Sequence, residues 1–237
     1  MVYLAQEKVN SQLPNVSVSV LERHVHLNFN SPVEVISSAV LNGGLFWADH
    51  ILNLKVAANV SEEITILPPP DVTLLSYAES NGWKGACVGM MTSALMSSFR
   101  HEFIQHEDVI VECFLTAGIS NASRAGDPAG WRSFGDVKPS AGTINIILGT
   151  NAKLTKAALV EAIMIISEAK AAILQQMTVL SVVSQKTATG TGTDSIAVFN
   201  GFGRPINYCG KHVLLGEMIS TVVSKAIESS LKGAPKN

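Results

Sequence analysis

From Lys156 to Met177 the chain carries apolar residues around almost the whole circumference of a helix, and no other stretch limits the fold as much. Leu159, Ala162, Ile163, Ile166 and Ile173 make one stripe, while Ala157, Ala158, Met164, Ile165, Ala171 and Ala172 fill much of the remainder. A helix so covered is predicted to be buried on several sides. Thr155 stands before it as the N-cap, offering a hydroxyl to an amide of the first turn.

The partners for such a helix are strands. Val16 to Phe29 alternates in part, with Val25, Leu27 and Phe29 opposite His24, His26 and Asn28, which reads as a long strand or hairpin with one wet face. After Pro32 a short buried strand, Val35 to Leu41, is stopped by the turn Asn42-Gly43-Gly44, and another is predicted over Ile51 to Val56. Asp71 is placed as cap of a helix reaching about Asn81 and ended by Gly82. Gly85 to Phe99 fits either a strand followed by a helix or one helix. Val109 to Leu115, Gly142 to Leu148 and Ser195 to Phe199 read as strands, and Leu214 to Leu231 as a closing helix. The order predicts an α/β or α+β fold, one mixed sheet covered by helices. Between Ser120 and Ser140 lies a polar loop longer than the roughly 12–15 residues of a plain connector.

With 237 residues and 47% apolar composition, residues 1–237 can bury a full core as a single domain without disulfides or metal. Charged residues are 15% of the chain and the formal net charge is −2, which argues against nucleic acid as a partner. Cys87, Cys113 and Cys209 are odd in number and form no CxxC pair, and Met1 to Gln12 lacks the pattern of an export signal, so the cytoplasm is the expected compartment. The most apolar run, Leu159 to Ile166, is interrupted by Glu161 and falls far short of the roughly 20 residues of a membrane span. No membrane partner is expected, and the oligomeric state is left open.

Several polar groups are candidates for chemistry. Glu161, Glu168 and Gln175 recur every seven residues on the long helix, and a carboxylate among alanines must find a partner or a proton. Glu168 is therefore a candidate general acid or base; the bland account is a solvated helix edge. Thr189, Gly190, Thr191, Gly192 and Thr193 combine backbone freedom with hydroxyls and end at Asp194, a segment able to cradle an oxyanion or to serve as a tight turn. It is neither a GxxxxGK phosphate loop nor a GxGxxG dinucleotide loop. Lys211 and His212 bring a cation and a proton-transfer group to the start of the last helix. Asn42, Gly43 and Gly44 offer backbone donors or a plain turn, and Asn145 points into a site or satisfies a neighbouring backbone group. Cys209, beside Lys211 and His212, is a thiol with a base in reach or a small buried hydrophobe. His24 and His26 share a strand face, but two ligands without a completing group establish no metal site.

Taken in order, these segments resemble a known family. Ser37 to Gly44, Val88 to Thr92, Thr116 to Ala122, Gly142 to Asn145, Glu168-Ala169-Lys170, Ala188 to Asp194, Gly210-Lys211-His212 and Leu215-Gly216-Glu217 look like successive blocks of the adenosylcobinamide amidohydrolases. The likeness spans about Val35 to Ala226 and departs from the family pattern at Cys209, Val213 and Ser220. It implies hydrolysis of the amide that joins an aminopropanol arm to a corrin side chain, giving adenosylcobyric acid for cobamide salvage. The substrate would be a corrinoid, with cobalt belonging to it and no cofactor required of the protein. Glu168 and His212 are then expected to share the proton transfers, with Asp194 orienting His212. Asn42, Gly43, Gly44, Asn145, Lys211 and the turn from Thr189 to Thr193 are expected to hold the substrate. Trp131 and Phe134 in the long loop are expected to close over it. The competing reading is a noncatalytic corrinoid or nucleotide binder.

Overall fold

Alternation of valine with serine and histidine builds the first hairpin. Glu7–Val9 (β1) and Val16–Val20 (β2) lead into His24–Ser37 (β3), and β2 lies antiparallel to the first half of β3, with Val16 opposite Phe29. In this computed structural model the described residues are 7–56, 68–129 and 142–233. The strand expected to begin after Pro32 is instead the second half of β3. Proline is tolerated there because the register with the next strand, Gly44–Lys55 (β4), shifts between Asn28 and Val33, and residues 30–32 are exposed and outside the paired register with β4.

Pro70–Ser80 forms α1, with Pro69 rather than Asp71 at the N-cap and Asp71 in the first turn. The ambiguous segment after it resolves into a strand, Cys87–Thr92 (β5), parallel to β4, and a single 3₁₀ turn at Met96–Ser98. A hairpin follows, Arg100–His106 (β6) and Val109–Ala117 (β7). The remaining elements are Ala122–Ser123 (β8), Ile144–Thr150 (β9), Lys153–Leu154 (β10), Lys156–Gln176 (α2), Gly190–Thr191 (β11), Ser195–Phe199 (β12), Pro205–Ile206 (β13) and Leu214–Gly233 (α3).

Nine strands make one mixed sheet in the order β1-β2-β3-β12-β9-β7-β6, with β4 and β5 added on the other edge of β3. β12–β9 and β4–β5 are parallel, the other pairs antiparallel. The sheet bends along β3, which pairs first with β2 and then with β12. Its two halves consequently face each other: Phe114, Ile147, Ala197 and Phe199 of one half pack with Leu27, Val35, Ile51 and Met90 of the other. Alternation sends Val111, Cys113, Leu115, Ile146, Leu148 and Val198 outward under α2 and α3. Leu52 and Leu54 go outward on the far side, under Leu74 and Ala78 of α1. The result is four layers, helix, sheet, sheet, helix, in agreement with the fold class expected of the sequence.

One expectation about α2 is corrected. Its buried side is Ala158, Leu159, Ala162, Ile165, Ile166, Ala169, Ile173 and Leu174, but Val160 and Met164 are 50% and 55% exposed. α3 and the sheet reach only one side of the helix, so its apolar excess faces outward. No helix among the described residues is long and apolar enough to cross a membrane.

Candidate active site

Most of the segments singled out in the sequence gather at one end of the sheet. There β3 and β7 finish, β9 and β12 begin, and β5 crosses from the facing half. Ser93 Oγ accepts from the Gly142 amide at 2.5 Å, and Gly118 donates to the Thr143 carbonyl at 3.0 Å. Between the halves, Asn145 Nδ2 donates to Asn53 Oδ1 and to the Met91 carbonyl, each at 2.8 Å, and Asn53 Nδ2 donates to Thr116 Oγ1 at 2.9 Å. All three side chains are buried, and Asn145 Oδ1 has no hydrogen-bond partner. Leaving a buried acceptor unpaired is costly, which makes Asn145 an unusual residue for a purely structural position.

Asp194 is the hub of the turn. Its carboxylate accepts the Ile144 amide at 3.0 Å, the Thr191 amide at 3.0 Å, the Thr191 hydroxyl, and the ammonium of Lys170, with the two ion-pair side chains only 12% and 10% exposed. Gly190 lets these charges come in: a Cβ there would run into Asp194 Oδ2 and lie 2.9 Å from Lys170 Nζ. Thr193 and Thr143 share a hydroxyl contact at 2.7 Å, and Thr189 Oγ1 accepts from the Ala125 amide at 2.8 Å. Gly192 is exposed at the tip. Beside the hub lies a pocket of about 400 Å³ lined by Ser37, Ser38, Ile163, Ser167, Lys170 and Asp194, among others. At its edge the Ser38 and Ser195 hydroxyls are 3.2 Å apart, and Ser38 Oγ also accepts from the Ile196 amide.

The turn Asn42-Gly43-Gly44 joins β3 to β4 close by. Asn42, at φ 54°, donates its side-chain amide to the Cys87 carbonyl at 2.8 Å, and a Cβ on Gly43 would strike the Ala39 carbonyl. These contacts serve the turn itself.

Glu168, Lys211 and His212 lie elsewhere. Positions 168 and 170 are about 200° apart around a helix, so Glu168 leaves α2 on the side nearly opposite Lys170. There it pairs with the Lys211 ammonium, the two side chains being 49% and 72% exposed. His212 is exposed next to them and makes no hydrogen bond to Asp194, whose carboxylate is fully occupied across the helix. One helical repeat earlier, Glu161 accepts the Cys209 amide at 2.7 Å. Burial, reinforced by Glu161, pushes the Cys209 thiol up to about 12, so it is no ready nucleophile at neutral pH. Trp131 and Phe134 lie outside the described residues.

A wider concavity, about 820 Å³, runs elsewhere, along β2 past His26, His50 and Trp83. His50 Nε2 donates to the Lys84 carbonyl at 2.9 Å, which leaves its Nδ1 to accept from His26 Nε2 at 3.1 Å, while Trp83 stacks on His26 at 3.6 Å. His24 meets the Tyr77 hydroxyl at 2.9 Å. Burial and its histidine neighbours push His26 down to about 3, and burial with Arg23 lowers His24, so both of these rings favour the neutral form. Among the described residues no group of three or more His, Cys, Asp or Glu is arranged to hold a metal ion.

Ser38, Ser195, Lys170 and Asn53 were not marked as site residues by the sequence. The one local signal was Asn53 itself, a lone amide in the run Ile51-Leu52-Asn53-Leu54.

Residues 9–236 match the model of the adenosylcobinamide amidohydrolase family. The chain belongs to that family. Two curated relatives agree in sequence. An uncharacterised protein of Methanocaldococcus jannaschii is 36% identical over 156 residues, 60% of this chain and 61% of its own length. The adenosylcobinamide amidohydrolase of Methanosarcina mazei is 29% identical over 208 residues, 84% of this chain and 90% of that protein. A solved protein of Pyrococcus horikoshii covers 97% of this chain and 83% of its own at 11% identity with a TM-score of 0.44, too loose to bear on the fold. The family match begins well before the part of the chain in which its motifs are legible by eye.

Proposed function

We propose that this chain hydrolyses the amide joining the aminopropanol arm to adenosylcobinamide, giving adenosylcobyric acid, in the cytoplasm and on a free corrinoid. The family match over residues 9–236 carries the reading. The gathering of its motif segments around the pocket of Lys170 and Asp194 supports placing the chemistry there.

Amide hydrolysis needs an attacking group, a place for the negative charge that develops on the carbonyl oxygen, and a proton for the departing amine. In this proposal the arm enters the pocket and its carbonyl oxygen faces the Lys170 ammonium. Asp194 fixes that ammonium in place, and the low exposure of both side chains leaves their field weakly screened. The Ser38 and Ser195 hydroxyls, bonded to each other at 3.2 Å, hold the attacking water beside them and relay the proton it loses to the departing amine. Asp194 acts as a positioning residue for Lys170 and the turn, since its own oxygens are already taken by donors. Glu168, Lys211 and His212, on the other flank of α2, grip the amide-rich periphery of the same substrate.

The test is incubation of the purified protein with adenosylcobinamide and mass analysis for adenosylcobyric acid and free aminopropanol. Corrinoid bound without aminopropanol release would leave a binder and end the hydrolytic reading. Lys170→Met should lower kcat by roughly 10²–10³, the loss typical of one preorganised charge or donor at an oxyanion. Glu168→Gln and His212→Ala should raise KM with kcat largely kept; if these two abolish turnover and Lys170→Met does not, the proton transfers belong on their side of the helix.

A further inference from the structure

The pocket beside Lys170 holds about 400 Å³, space for one arm of a corrinoid and too little for a corrin with its full set of side chains. If the arm enters, the ring must rest on the surface around the mouth. That surface is not ordinary. Val160 and Ile163 of α2 line the pocket, and one turn along from Val160, Met164 stands 55% exposed where a surface helix normally presents a polar residue. On the opposite wall is Ile36 of β3, which also lines the pocket. β4 lies beyond it, with Leu45 directly paired to Ile36 and Trp47 to Glu34. Directly paired residues share a sheet face, so Leu45 and Trp47 continue the floor outward from Ile36 on the side of α2. They are 44% and 56% exposed.

We propose that Leu45 and Trp47 on one side and Val160 and Met164 on the other form the seat for the face of the corrin ring. The inference rests on the hydrolytic reading above and adds to it where the bulk of the substrate lies. Large apolar side chains scattered singly on a surface need no account, but four clustered beside the mouth of one pocket mark a binding surface. A corrin is broad, nearly flat and methylated across its faces, with amides around its rim. The seat matches that distribution: an apolar floor, the Lys170–Asp194 pocket at one margin, and Glu168 with Lys211 on the far flank of α2. Methionine is suited to such a surface because its flexible thioether adapts to an irregular partner. A second copy of this chain would also cover apolar groups, but it would not explain why they border the pocket.

The experiment uses the full chain with Met164→Asp and Trp47→Asp, singly and together. Both sites are exposed, so circular dichroism and thermal melting should match the parent; Leu45→Asp replaces either variant that does not fold. Corrinoid affinity is read by equilibrium dialysis, using the visible absorbance of adenosylcobinamide, and turnover by product mass. The double variant should weaken Kd and raise KM at least about tenfold, with kcat at saturation changed by less than about threefold, the signature of lost uniform binding. Unchanged Kd and KM alongside normal hydrolysis by the parent would remove the seat and leave the hydrolytic reading standing. A parent that binds corrinoid and releases nothing would remove that reading, while the shift in Kd would still support the seat. A parent dimer that Met164→Asp dissociates with Kd unchanged would make the patch a subunit contact and overturn the inference.

Discussion

At the scale of single residues, the charged hub shows what spacing in a sequence conveys and what it hides. The hydroxyl and glycine pattern before Asp194 reads directly as a turn able to hold a charge. Its partner Lys170 does not, because the two are brought together only by the packing of α2 on β12. For the same reason Asn145 was legible as an odd polar group in a strand, while nothing in the run Ile51-Leu52-Asn53-Leu54 tells that Asn53 meets it across two sheet layers. Gly190→Ala tests the hub. The new methyl would press on Asp194 and Lys170, so the variant should lose roughly 1–3 kcal/mol, the usual cost of overpacking, as a lower urea midpoint at unchanged slope. The neutral histidines make a second residue-level prediction. His26 takes up a proton near 6.5 when unfolded and only near 3 when folded, so the unfolded state binds more protons between those values. Stability from this group is complete above about 6.5 and falls toward pH 3, by ~1.4 kcal/mol per pH unit within the window. Urea melts at several pH values should show a shallower decline in His26→Gln than in the parent; equal slopes would exclude this source.

Secondary-structure elements were legible where an apolar pattern is bounded by turn or capping residues. β7, β9 and β12 read as short apolar runs buried on both faces, β2 by alternation, and α2 and α3 by helical spacing, and all fall close to their expected bounds. β6 escaped because Arg100-His101-Glu102-Phe103-Ile104-Gln105-His106 lies at the sheet margin with no fully buried residue, so its strand character comes from pairing with β7 rather than from its own pattern. β3 was cut short because proline normally ends a strand, and only the local register shift permits it here. α2 was expected to be enclosed because apolar residues on a helix usually mean burial; its outward residues break that rule, and this is the feature from which the corrin seat was inferred. The cap at the start of α2 is as expected: Thr155 Oγ1 accepts the Ala158 amide at 3.2 Å. Thr155→Ala should cost about 1 kcal/mol in thermal or urea unfolding without altering KM, because nothing else in the helix depends on that hydroxyl.

For the molecule as a whole, the sequence conveyed the class of the fold but not its path. A mixed sheet with helices follows from the order of patterns, whereas the bend along β3 and the meeting of two half-sheets depend on the pairing of β3 with β12, which joins Ser37 to Ala197 far along the chain. Most of the motif blocks, dispersed along the chain, meet only through that bend. The N-terminal segment is tied in by a similarly distant contact: the buried carboxylate of Glu112 accepts the Ser11 hydroxyl at 2.6 Å and the Gln12 amide.

The position of β12 has a further consequence for biosynthesis. Ser195–Phe199 fills the centre of the sheet, bonded to β3 on one side and β9 on the other, yet it leaves the ribosome after both of them. Until it arrives, the nascent polypeptide holds two apolar strand edges open to any passing β-segment. A fragment ending at residue 190 should therefore accumulate in the insoluble fraction, whereas one ending at residue 233 should be recovered soluble, as fractionation after expression would report.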